Sequence, residues 1–181
     1  MSYTIYIRFE GKSILFDLGS SDCGTTNGSI SDTSTRWFYQ YYKRLGLQFD
    51  RIIAFEAASL SPKIAWEQVP DDALPAYTLI NVGCTVSGKF NPWMILQRLA
   101  KPDDHVIVKL DIDSFQIENN LIHQVINESR IHSLIDELFF EHHVAVKEML
   151  RYWRSPPGAL RDSYILFTKL RQLGIRMHSW P

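Results

Sequence analysis

The segment Ser13-Ile14-Leu15-Phe16-Asp17-Leu18-Gly19-Ser20-Ser21-Asp22-Cys23-Gly24 runs from an unbroken apolar stretch into a glycine turn. A short apolar run bounded by turn residues reads as a buried strand, which places a strand over Ser13 to Asp17. Gly19 then serves close approach, since a side chain at that point would hold the backbone away from a ligand. Asp17 adds a carboxylate that accepts from cationic or hydroxyl groups.

Working outward, the same unit recurs. Thr33 to Leu45 carries Trp37, Phe38, Tyr41 and Tyr42 at helical spacing, a stripe that reads as core, and Gly46 stops it. Asp50 to Glu56 is a second strand, Pro62 to Gln68 a short helix opened by Ser61-Pro62, and Tyr77 to Val82 a third strand. Pro92 to Leu99 reads as helix, His105 to Ile112 as a central strand, Glu118 to Glu128 as helix, and Glu137 to His143 as the fifth strand. Leu160 to Leu173 is a helix ended by Gly174, and Ile175 to Trp180 a last strand. Tyr3 to Phe9 alternates and adds a possible seventh strand, hairpinned through Glu10-Gly11-Lys12. Strands alternating with helices specify an α/β fold: a Rossmann-like three-layer sandwich, with a mostly parallel sheet of about six or seven strands and helices on both faces.

The chain has 181 residues, 45% of them hydrophobic, which suits a single domain with a sizeable core. A formal charge of -1 without blocks of like charge provides no basic field for a phosphate backbone, so nucleic acid is not an expected partner. No apolar run approaches the roughly 20 residues of a membrane helix, and Met1 to Glu10 lacks the order of a secretory signal. Two cysteines, Cys23 and Cys84, make neither a disulfide framework nor a four-ligand zinc site. The expectation is a soluble cytoplasmic protein acting on a small molecule.

Ligands of open α/β sheets sit outside the carboxyl ends of the strands. Those ends are polar here: Asp17 and Gly19; Glu56; Asn81, Val82 and Gly83; Asp111 and Asp113; Glu141 and His143. An acidic residue at the end of the second strand is an acceptor for a ribose diol, so Gly19 with Glu56 points to an adenosine-containing ligand. The G-x-G-x-x-G that sets a pyrophosphate on a helix N-terminus is absent.

The string Asp17-Leu18-Gly19-Ser20-Ser21-Asp22-Cys23-Gly24 resembles motif I of the class I S-adenosylmethionine-dependent methyltransferases. Ala54-Phe55-Glu56, Lys109-Leu110-Asp111-Ile112-Asp113, Phe140-Glu141-His142-His143 and Leu173-Gly174-Ile175-Arg176-Met177-His178 are similar to strands of their FkbM-like family. The likeness spans Leu15 to Trp180. It departs where the family has D-x-G-A-N-x-G and this chain has Ser20-Ser21-Asp22-Cys23-Gly24, and where E-G-A-E is replaced by Asp113-Ser114-Phe115-Gln116. Most class I methyltransferases also add an antiparallel seventh strand beyond the sixth.

The resemblance implies S-adenosyl-L-methionine as cofactor, with Asp17, Gly19 and Ser20 at its methionine and ribose end, Glu56 on the ribose hydroxyls, Asn81, Val82 and Gly83 beside the adenine, and Asp111 nearby. It implies O-methylation of a small hydroxylated molecule or sugar. Methyl transfer needs an aligned oxygen nucleophile and removal of its proton. Asp113, Glu141 and His143 are the catalytic candidates, Glu141 holding the imidazole and raising its pKa. Asp111 and Asp113 also suit a hard divalent metal, or Asp113 or Ser114 caps the helix that begins near Ile117. Lys109, inside an apolar strand, calls for a carboxylate partner such as Glu141. Trp93 and Trp153 are candidates for a substrate wall, and Arg151 to Arg161 for a flap. Gln116 in place of a carboxylate motivates a second reading, a cofactor-binding module without turnover; a third is a metal-dependent hydrolase.

Overall fold

The computed structural model describes residues 11–20, 34–67, 69–147 and 156–180. The Tyr3 to Phe9 strand, loop residues Ser21 to Gly24, the ends of two helices at Thr33 and Gln68, and the flap's Arg151 and Trp153 lie outside the described residues.

Among the described residues, six strands form one all-parallel sheet: β1 (Ser13–Leu18), β2 (Arg51–Phe55), β3 (Tyr77–Ile80), β4 (His105–Leu110), β5 (Glu137–Phe140) and β6 (Arg176–Ser179). Their order is β3-β2-β1-β4-β5-β6. The helices are α1 (Ser34–Arg44), α2 (Pro62–Glu67), α3 (Pro92–Leu99), α4 (Phe115–Asn127), α5 (Ser129–His132) and α6 (Leu160–Gln172). The fold is therefore the α/β sandwich that the alternating runs specify, and β5 pairs directly with β6, Glu137 opposite Arg176.

The central strands are apolar on both sides because both faces are covered. Every residue of β1 and β4 is buried. Ile14, Phe16, Leu18, Val106, Val108 and Leu110 pack on the face covered by α3, α4, α5 and α6. Leu15, Ile52 and Ile107 pack on the other face against Phe38, Tyr39 and Tyr42 of α1. The α1 stripe is accordingly split: Phe38 and Tyr42 are core, whereas Trp37 and Tyr41 stack on each other at 37% and 38% exposure. Trp93, read as a substrate wall, is instead core at 2% exposure, its indole N–H donating to the Leu121 carbonyl at 3.1 Å. It sits at the first turn of α3, where Asn91 caps the helix by accepting from the Trp93 N–H at 2.8 Å.

From β1 the chain winds outward through β2 and β3, then returns to β1's other side as β4. The connections that leave β1 and β4 run to α1 on one face and α4 on the other, and such a switch point opens a crevice at the carboxyl edge of the sheet. Among the described residues, no helix is long and apolar enough to cross a membrane.

Candidate functional site

A cavity of about 330 Å³ occupies that switch point, within the usual size of small-molecule sites. Gly19 forms one wall, Phe55 to Ala58 the second, Cys84 a third, and Asp111 to Ser114 with Ile117 the fourth. Gly19 has φ +86, and a Cβ there would meet the Asp111 carbonyl oxygen at 1.7 Å. The glycine lets the β1 and β4 exits touch. Glu56 is 6% exposed, and its Oε1 accepts from the Ala58 N–H at 2.6 Å, which fixes the carboxylate at the cavity's edge. The Cys84 thiol is buried and pushed up to about 12, so it carries no thiolate near neutral pH.

Of the residues expected to hold a cofactor, Gly19, Glu56, Gly83 and Asp111 line this cavity, as does Asp113 from the catalytic set. Asp17, Ser20, Asn81 and Val82 are not among its lining residues. The Asp17 carboxylate points to the α1 face, where Ser34 Oγ donates to its two oxygens at 2.9 and 2.8 Å and the Thr35 hydroxyl donates as well. Burial pushes this carboxyl above the ordinary aspartate range, opposed by Lys109 and the two hydroxyls. Ser20 is buried, its N–H bound to the Phe55 carbonyl. Asn81 braces the β2 exit: its Nδ2 donates to the carbonyls of Glu56 at 2.8 Å and Ala58 at 2.6 Å. Val82 is 38% exposed.

Lys109 is the hub behind the cavity. Its ammonium donates to the Gly19 carbonyl, lies 3.1 Å from Asp111 Oδ2 and 3.7 Å from Asp17 Oδ1. The expected carboxylate partners are therefore Asp17 and Asp111 rather than Glu141, because Lys109 lies opposite Asp17 in the β1–β4 register. One buried cation thereby ties the glycine turn to the exit of β4.

The structure brings the catalytic candidates together. His143 Nε2 and Glu141 Oε2 are 2.7 Å apart, and Asp113, Glu141 and His143 each place a ligating atom within 4.8 Å of the others. The Glu141 hydrogen bond raises the His143 imidazole above its ordinary pKa, and burial pushes the Glu141 carboxyl up. Asp113 has φ 54, and Ser114 at the start of α4 makes no side-chain capping bond, so capping does not explain this pair. Asp113, Glu141 and His143 are donor types that a divalent cation accepts, whereas Asp111 is engaged by Lys109 and by the Trp180 indole N–H at 3.2 Å.

Two participants were missed in the sequence. Glu118, read only as the first residue of a helix, is 1% exposed and accepts from the Ile112 N–H at 2.9 Å. Burial lifts its carboxyl to about 7, next to His143 and Asp111. The available signal was an acidic residue in the first turn of a helix that follows a strand exit. Trp180 reaches Asp111 from the far end of the sequence, and nothing in its local pattern announces that contact.

No family model matches the chain, and neither a curated protein nor a solved structure is found similar to it.

Proposed function

We propose that this chain is a cytoplasmic S-adenosylmethionine-dependent methyltransferase that methylates a hydroxyl oxygen of a small molecule or sugar, of the kind the FkbM-like resemblance implies. The observation that carries the reading is the switch-point cavity with Gly19 on one wall and Glu56 at its edge. The cavity suits the nucleoside part of such a cofactor: its walls are mostly apolar, and one fixed carboxylate stands where a ribose diol is to be held. On the other side of β1, Asp17 is taken up by the Ser34 and Thr35 hydroxyls of α1 and stays within the protein's own hydrogen bonds.

When bound, the cofactor supplies an electrophilic methyl group. The chain's residues supply the rest. Glu56 orients the ribose, Lys109 holds the Gly19 wall from behind, and Asp113 stands on the facing wall. The His143–Glu141 pair lies behind Asp113, so a proton leaving an acceptor hydroxyl has a basic group at hand. A divalent cation on Asp113, Glu141 and His143 is compatible with the donor set and is not required by this scheme.

Calorimetric titration with S-adenosylmethionine tests the reading. The expected outcome is one site on the unmodified protein, weakened about tenfold or more in Glu56→Ala through loss of a charged hydrogen-bond acceptor. An unmodified protein that binds no S-adenosylmethionine contradicts it. Binding without methylation of any acceptor would instead support the cofactor-binding module.

A further inference from the structure

The exits of β4 and β5 are neighbours because the two strands pair, Leu110 opposite Phe140, and the Glu141 N–H continues the ladder by donating to the Leu110 carbonyl at 3.2 Å. Past Phe140 the two adjacent imidazoles part. His142 pairs with the Ser163 hydroxyl at 2.9 Å, whereas His143 Nε2 lies 2.7 Å from Glu141 Oε2. Asp113 brings a carboxylate from the β4 side to the same place, and the three ligating atoms lie within 4.8 Å of one another. Glu141 and His143 are each 8% exposed, while Asp113 is exposed and also lines the switch-point cavity.

The charge around this cluster is one-sided. Lys109, the buried ammonium of β4, is taken by Asp17, Asp111 and the Gly19 carbonyl. Among the described residues, no lysine or arginine forms an ion pair with Asp113, Glu141 or the neighbouring Glu118, which is 1% exposed and interacts electrostatically with His143. Three carboxyls therefore gather round one imidazole without a fixed cation, and burying such charge is costly unless a counter-charge is supplied.

We infer that Asp113, Glu141 and His143 form a binding site for a divalent transition-metal ion of the zinc type at the wall of the switch-point cavity. Metal–ligand distances of about 2.0–2.2 Å set the donors of one ion roughly 3–4 Å apart. The Glu141–His143 spacing is already short enough, and only the exposed Asp113 side chain has to close in. The imidazole decides the class of ion: magnesium and calcium take oxygen donors, whereas imidazole suits zinc and its neighbours in the first transition row. Three protein donors leave a coordination position open. Because Asp113 is in the cavity wall, water or an oxygen of a bound molecule completes the coordination there. Each carboxylate bonds the ion through one oxygen and keeps the other, so a proton acceptor remains beside the ion. The site does not depend on the methyltransferase reading.

Calorimetric titration of chelator-treated protein with zinc chloride, and separately with magnesium chloride, tests the site. The unmodified protein is expected to take one zinc ion per chain and to bind magnesium about a hundredfold more weakly. Asp113→Asn removes a charged ligand at an exposed position, and asparagine is tolerated at the positive φ of this residue, so folding is spared. It is expected to weaken zinc binding about tenfold or more, and His143→Ala to weaken it at least as much. His123→Ala, which removes an exposed imidazole of α4, is expected to leave zinc binding unchanged. Zinc that fails to bind, that binds Asp113→Asn as tightly as the parent, or that is lost in His123→Ala as an adventitious surface ion overturns the site. Equal affinity for magnesium overturns the choice of ion. S-adenosylmethionine titrated into the metal-free protein reads the cofactor cavity separately, so either assignment can fail alone.

Discussion

Lys109 is a cation with its side chain 3% exposed near the carboxyl end of β4, and the cost of that burial is met by Asp17, Asp111 and the Gly19 carbonyl. Asp17 is consequently committed to holding β1, β4 and the start of α1 together. Removing it leaves the ammonium to Asp111 alone and two buried hydroxyls without their acceptor, so Asp17→Ala is expected to lower stability by about 2 kcal/mol in urea unfolding, while Asp17→Asn, which still accepts from Ser34 and Thr35, loses less. Glu118 makes a second prediction. Its carboxyl titrates near 7 in the folded chain and near 4.5 when unfolded, so the native state binds more protons between these values. Stability contributed by protonated Glu118 is full below about pH 4.5 and falls as pH rises through about 7. Glu118→Gln keeps an acceptor for the Ile112 N–H and is expected to flatten that fall, gaining about 2 kcal/mol at pH 8 relative to the parent. Unfolding curves collected from pH 4 to 8 check both the sign and the window.

At the scale of elements, the strands were legible because two covered faces demand unbroken apolar runs, and β1, β2 and β4 lie where such runs place them. Boundaries were less legible where a polar exit residue has structural work. β3 was read through Val82 but ends at Ile80, because Asn81 turns back to bind the Glu56 and Ala58 carbonyls. α4 begins at Phe115 rather than Glu118, its first turn closed by the Glu118 N–H on the Ser114 carbonyl. Trp93 was misread because its position at the start of a helix looks loop-like, and only the packing of α3 on α4 shows it buried. The contact between the exits of β1 and β4 supplies the prediction at this scale. Gly19→Ala combines a positive φ with a Cβ that overlaps the Asp111 carbonyl. It is expected to destabilise by about 2 kcal/mol or more and to abolish ligand binding at the cavity. A variant with parental stability and an intact site would show that the close approach is dispensable.

For the molecule as a whole, the strand order carries the functional argument. Winding outward from β1 and returning as β4 opens the sheet's carboxyl edge between them, and Gly19, Glu56, Asp111 and Asp113 are among the residues that line the opening. Half of the site was readable from strand exits alone, since exits of a parallel sheet share one edge. The remainder depended on which face each exit residue takes. Asp17, alternating with Phe16 and Leu18, falls on the α1 side, and Trp180 reaches Asp111 only because β6 lies beside β5. The measurement that tests the central claim most directly is a crystal structure of the protein with S-adenosylhomocysteine. The account predicts the nucleoside in the cavity over Gly19, its ribose hydroxyls on the Glu56 carboxylate and its sulfur toward Asp113. A cavity left empty at saturating ligand, or a ligand bound elsewhere, would contradict it.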